Sequence, residues 1–156
     1  MRRPPTAGRS RGFTMIEMMV VVVILAILTA FAAPYMGDMV RTQRLRTASF
    51  DVFASLMFAR SEAVKRDLTV TIAPSGGSWL NGWTVTDSNG TLLKTQNAAE
   101  GLTITGPGNV VYTGTGRLGA AVAPFNLSVT QHSGTTLSRC VTVDLSGRPV
   151  SKESAC

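Results

Sequence analysis

The chain has 156 residues, room for one modest domain, with 15 basic against 9 acidic residues and a net charge of +6. Apolar residues make up 44% and charged ones 15%, which excludes a disordered chain. One histidine, His132, and two cysteines, Cys140 and Cys156, fall short of the three or four ligands a zinc site wants, so neither a metal nor a cofactor is expected.

Much of the positive charge lies at the start. Arg2, Arg3, Arg9 and Arg11 stand within residues 1–12 with no acid among them, a basic leader. From Phe13 to Ala33 the sequence is apolar with Glu17 as its one charge. As a helix this run is about 31 Å long, against roughly 30 Å of bilayer hydrocarbon. A small domain has no place to bury a helix that is apolar all round, so residues 13–33 read as a transmembrane segment. An ordinary secretory signal has a shorter apolar region and needs no acid near its start. The arginines before the run and Asp38 after it put the N-terminus on the cytoplasmic side and the rest of the chain outside. Glu17 is the costly residue, since a carboxylate within the bilayer costs on the order of 2.5–3.5 kcal/mol. It either sits shallow enough to reach the headgroups or pairs with a positive group. That group is on another chain, or is an amino terminus created by cleavage before Phe13.

Arg11-Gly12-Phe13-Thr14-Met15-Ile16-Glu17 resembles the prepilin-type processing site of type IV pilins and type II secretion pseudopilins. The resemblance implies cleavage after Gly12 by a prepilin peptidase and N-methylation of the new N-terminal Phe13. It implies that Glu17 is the assembly carboxylate that neutralises a neighbouring subunit's amino terminus. The apolar run then stays on the mature protein, first in the inner membrane and later in a filament.

Pro34 follows, where the family often has a proline, and a helix kink is expected there. Residues 34–66 continue as an amphipathic helix. Leu45, Ala48, Val52, Leu56, Ala59 and Ala63 recur at steps of three and four, with Phe53 and Met57 beside them, a core face to be laid on a sheet. Arg41, Arg44 and Arg46 read as part of a solvated face, with contact to lipid headgroups or DNA as the alternative. Ala59-Arg60-Ser61-Glu62-Ala63-Val64-Lys65-Arg66 resembles the AR-x-EA-x-x-R stretch of the GspH/FimT group of minor pilins and pseudopilins. Gly82-Trp83, with Val85 and Asp87, resembles the strand that follows, and Arg139–Asp144 with Gly147-Arg148 its closing strands.

Residues 67–156 are a β-rich globular head. Short β-prone runs are separated by Gly, Asn, Ser and Pro. Strands are predicted at 68–72, 83–87, 92–95, 102–104, 110–112, 125–130, 138–144 and 149–151, with a hairpin at Asn89-Gly90. Trp83 is expected in the core and Trp79 partly exposed. Gly106-Pro107-Gly108 and Gly114-Thr115-Gly116 are turns, and no helix follows the latter as a dinucleotide loop requires. The fold class is α+β: a type IV pilin-like molecule whose long N-terminal helix has a transmembrane half and an amphipathic half packed on the head.

In an oxidising compartment Cys140 and Cys156 are expected to form a disulfide worth roughly 3 kcal/mol; two free thiols are the alternative. An enzyme is not expected. His132-Ser133 adjacency is no triad, because nucleophile, base and orienter must converge in space. The expected role is a structural subunit of a type IV pilus or a type II secretion pseudopilus. Its partners are the prepilin peptidase, other major or minor pilins or pseudopilins, and inner-membrane lipid before assembly, with the head in the periplasm. The alternative is a DNA-binding minor pilin for natural transformation, with Arg117, Arg139, Arg148 and Lys152 as the basic candidates. The DNA-binding branch carries Gly-Arg-x-Arg, where this chain has Gly147-Arg148-Pro149-Val150.

Overall fold

The structure, a computed structural model, describes residues 12–156, without the side chains of residues 31–35. Eleven of the twelve leader residues fall outside the described residues, as does the side chain of Pro34, where a kink is expected. One helix, α1 (Met15–Arg66), precedes eight strands. These are β1 (Val70–Pro74), β2 (Trp83–Asp87), β3 (Leu92–Gln96), β4 (Thr103–Thr105), β5 (Val110–Tyr112), β6 (Phe125–Thr130), β7 (Thr136–Val143) and β8 (Pro149–Lys152). The chain divides into two units, residues 1–36 and residues 37–156.

The first unit carries the N-terminal part of α1. Every large apolar side chain from Phe13 to Leu28 is exposed. Thr29 turns its hydroxyl back onto the carbonyls of Leu25 and Ala26, at 2.9 and 3.0 Å, which satisfies its only polar group within the helix. Among the described residues no helix is long and apolar enough to cross a membrane; the apolar run extends to Ala33, past the last described side chain of this stretch, Ala30.

In the second unit α1 lays the predicted face inward. Leu45, Ala48, Val52, Leu56, Ala59 and Ala63 are all buried, joined by Ser49 and Ser55. Three alanines and two serines keep much of this buried face small. Phe53 is half-buried and Met57 is exposed, so the two flank the face rather than extend it. The strands form two antiparallel sheets, ordered β3-β2-β1-β5 and β4-β6-β7-β8. Alternation holds where one face is covered: Trp83 and Val85 of β2 and Phe125, Leu127 and Val129 of β6 are buried, with half-buried residues between them.

Two expectations are corrected. Trp79 is 4% exposed, not partly exposed. It lies in a 3-10 turn, Trp79–Asn81, and its Nε1 donates to the Pro107 carbonyl at 2.7 Å. Its ring meets Phe125 edge-on at 4.7 Å and tilts against Trp83 at 5.8 Å, so it joins the cores of the two sheets. The first strand starts at Val70 rather than residue 68, because the helix end consumes Leu68. Asp67 takes a left-handed conformation (φ 52°) and the Leu68 N–H donates to the Ala63 carbonyl at 3.2 Å, a Schellman closure without the usual glycine.

Four connections share one loop. Asp87–Thr91, Thr113–Arg117, Gln131–Thr135 and Asp144–Arg148 each pair the first N–H with the fifth carbonyl, and the fourth N–H with the first carbonyl. The fourth residue is always a glycine at positive φ: Gly90, Gly116, Gly134 and Gly147. This is the three-residue hairpin loop closed by a left-handed residue. The Asn89-Gly90 hairpin is one of the four.

Candidate functional site

The Gly12–Glu17 segment enters α1 through a cap. Thr14 is the N-cap: its carbonyl takes the first helical bond from Met18 N–H at 3.3 Å, and its Oγ1 accepts the Glu17 N–H at 3.3 Å. Thr14-x-x-Glu17 is thus the serine/threonine half of a capping box, with Glu17 at the third helical position. An acid in the first turn is favoured by the helix dipole, which offsets part of the burden of a carboxylate in an apolar run. The sequence held this signal, Thr followed three residues later by Glu before an apolar run, and only its catalogue value as a processing motif was expected. Gly12 and Phe13 lie just outside the helix and are exposed. An apolar concavity of about 540 Å³ along Phe13–Val23 is simply the bare helix face.

The AR-x-EA-x-x-R residues act at the other end of α1. Arg60 Nε donates to the Gly116 carbonyl at 3.0 Å. Arg66 Nε donates to Glu62 Oε2 at 2.6 Å, Arg66 Nη1 lies 3.5 Å from Asp87 Oδ2, and Lys65 Nζ lies 3.5 Å from Glu62 Oε1. Arg66 therefore links helix to β2. The hydrogen bond from Arg66 holds the Glu62 carboxyl below its ordinary pKa. Asp87 is lowered chiefly by the Thr91 N–H and also by that of Asn89. Asp144 is lowered by the Ser146 hydroxyl and the Arg148 N–H in the same way. Asp51 moves upward, because its partial burial outweighs the pull of Lys94. Burial pushes the Tyr112 phenol far up. Gly82, before Trp83, is required by space: at φ 89° a Cβ there would lie 2.1 Å from the Gln96 carbonyl oxygen.

Cys140 and Cys156 form a disulfide. It draws the exposed tail after β8 onto the second sheet, with Cys156 Sγ 3.2 Å from the Phe125 carbonyl oxygen. The four basic candidates lie on two loops and two strands. Arg117 and Arg148 are exposed on two loops that touch, since a Cβ on Gly147 would lie 2.1 Å from the Gly116 carbonyl oxygen. Arg139, on β7, is ion-paired with Glu153. Lys152 is exposed at the end of β8. His132 is exposed in a hairpin loop, and its backbone N–H donates to Asp38 Oδ1 at 2.7 Å. Among the described residues no group of three or more His, Cys, Asp or Glu side chains is placed to hold a metal ion.

The sequence pattern of the family described as type II transport protein GspH matches residues 49–147, well over half of the chain. The chain belongs to the GspH family. Its N-terminal part, residues 8–33, matches the prokaryotic N-terminal methylation motif, as a GspH/FimT-type minor pilin or pseudopilin should. Among solved structures it is similar to the type IV minor pilin FimU of Pseudomonas aeruginosa in two crystal forms. One is 22% identical, with a TM-score of 0.56 over 69% of this chain and 92% of FimU. The other is 21% identical, with a TM-score of 0.57 over 71% and 90%. At that identity the likeness establishes a pilin-like α+β fold. No curated protein matches the sequence. The GspH match spans Arg60, Glu62 and Arg66, which hold the end of the helix to the Gly116 loop and to β2, and Gly82-Trp83 at the start of β2.

Proposed function

We propose that this GspH family member is a minor pilin or pseudopilin, a structural subunit and not an enzyme. A prepilin peptidase cuts between Gly12 and Phe13 and methylates the Phe13 amino group. Residues 13–33 then hold the subunit in the inner membrane, with the head in the periplasm, until it joins a pilus or pseudopilus through the same helix. In the filament Glu17 meets the amino terminus of a neighbouring subunit. The observation that carries this reading is the methylation motif over residues 8–33, set on a helix whose large apolar side chains from Phe13 to Leu28 are exposed. A helix so exposed needs lipid or other apolar helices around it. Thr14 caps the Glu17 backbone N–H, and among the described residues no ion pair engages the Glu17 carboxylate, which suits it to meet an ammonium group.

Mass spectrometry of the mature N-terminus tests the processing step. The expected product begins with a methylated Phe13. A mature chain that keeps residues 1–12, or that begins beyond Ala33, refutes the reading. Glu17→Ala tests assembly: it is expected to leave processing intact and to reduce incorporation into filaments.

A further inference from the structure

We propose that Arg41 and Arg44 form a phosphate site that takes the headgroup of an anionic phospholipid of the bilayer holding residues 13–33. The proposal rests on the membrane-anchored reading above. A cavity of about 460 Å³ opens between the start of the head's helix and the β4–β6 edge, lined by Arg41, Arg44, Gly101, Thr103, Ser128 and Thr130 among others, with no carboxylate in its wall. Arg41 is positioned by one bond, Nη1 to the Thr130 carbonyl at 2.9 Å, which leaves its other N–H donors available. Arg44 packs on Gly101: its Nη1 lies 3.4 Å from where a Cβ would stand, at φ 71°. Side chains at this spacing are neighbours on a helix, and like charges there repel. The ion pairs found among the described residues engage Glu62, Asp87 and Glu153 with Lys65, Arg66 and Arg139, and none neutralises Arg41 or Arg44. An anion between the two guanidinium groups removes that repulsion and meets the planar donor geometry that suits phosphate oxygens.

Position along the chain selects the source of the phosphate. Eight residues lead from Ala33 to Arg41, about 12 Å of chain when helical. The site is therefore tethered within reach of the headgroup layer. Arg41, Arg44 and Arg46 also stand on the translocated flank of the apolar run, where basic residues run against the usual bias. A lipid phosphate gives two of them a partner. In the filament the lipid is left behind, so the contact acts on the parked subunit only.

The test uses the full chain in dodecyl maltoside micelles, followed by the amide resonances of Gly101 and Thr103. The probes are dihexanoyl-phosphatidylglycerol, dihexanoyl-phosphatidylcholine and inorganic phosphate. Phosphatidylglycerol is expected to give saturable shifts at both amides, with the other two probes roughly tenfold weaker. Arg44→Gln, which leaves the Arg41–Thr130 bond in place, should lose about tenfold in affinity. Arg46→Gln, outside the cavity, should lose nothing. Shifts absent from both amides, or Arg44→Gln binding like the parent, overturn the site. Inorganic phosphate binding as tightly as phosphatidylglycerol overturns the lipid as its ligand. Release of the full chain from membranes by alkaline carbonate refutes the anchored reading itself, and with it the bilayer as the source, whatever the micelle titration gives.

Discussion

Cys156→Ser is the perturbation whose size the structure fixes most directly. Cys140 is 4% exposed, so a serine there would bury a hydroxyl as well as open the bridge; Cys156 lies on the exposed tail, and its replacement removes the crosslink with little else. The bridge closes a loop of 16 residues, which in the chain-entropy account corresponds to about 3 kcal/mol taken from the unfolded state. The second unit has 120 residues, so its unfolding entropy near 60 °C is about 0.25 kcal/mol/K and the melting temperature should fall by about 12 °C. The assay is near-ultraviolet circular dichroism of the full chain in detergent, where Trp79 and Trp83 report core packing. The oxidised parent should melt highest, dithiothreitol should lower it to the level of Cys156→Ser, and the variant should ignore the reductant. A parent and variant melting within 2 °C of one another, on the order of the effect of a 0.5 kcal/mol change, would show that the tail is held by other means and refute the reasoning.

Gly82→Ala should cost about 3 kcal/mol or more in urea unfolding, since it combines a clash with the Gln96 carbonyl and a positive φ; a loss under about 1 kcal/mol would mean the strands part easily. Leu56→Ala, at 1% exposure, should lose roughly 2–5 kcal/mol by the same measurement, while Met57→Ala next to it, at 43%, should stay within about 0.5 kcal/mol. Glu62, Asp87 and Asp144 all have folded pKa values below their ordinary ones. Over that window the unfolded chain binds more protons, so stability is held above the ordinary carboxylate pKa of about 4 and declines as pH falls through the depressed values. Denaturant midpoints measured down the acid range should show that decline, and Arg66→Gln should lessen it; an unchanged midpoint between pH 5 and pH 3 would contradict the ion-pair arrangement.

How much of this was legible in the residues differs from element to element, for physical reasons. The inner face of α1 was fully readable, because a 3.6-residue period leaves little freedom about which side chains meet the strands. β2, β5 and β6 lie at their expected limits, since alternation and flanking turn residues bound them on both sides. β1 was displaced because a non-glycine residue, Asp67, closes the helix, and composition gives no warning of that. Trp79 was misjudged because its burial depends on Pro107 and Phe125, far away in sequence. The order of strands within the two sheets depends on such distant pairings and was not readable. The recurrent loop was present in plain view as glycine at the fourth of five residues, four times over, and went unread because each glycine was treated as a separate turn. For the candidate site, Gly12, Phe13 and Glu17 are singled out by a local motif, inside the stretch that matches the methylation motif. Arg139 was not recognisable as engaged, since its carboxylate partner, Glu153, lies on a tail brought back only by folding.

The second unit is fastened to its helix at two separated places. Asp38 and Arg41 hold the His132 N–H and the Thr130 carbonyl near one end, and Arg60 and Arg66 hold Gly116 and Asp87 near the other. Traction applied along the helix therefore loads both sets together, in shear, instead of peeling the strands away one contact at a time. A subunit drawn out by its stem can transmit that force to its bulk without first coming apart.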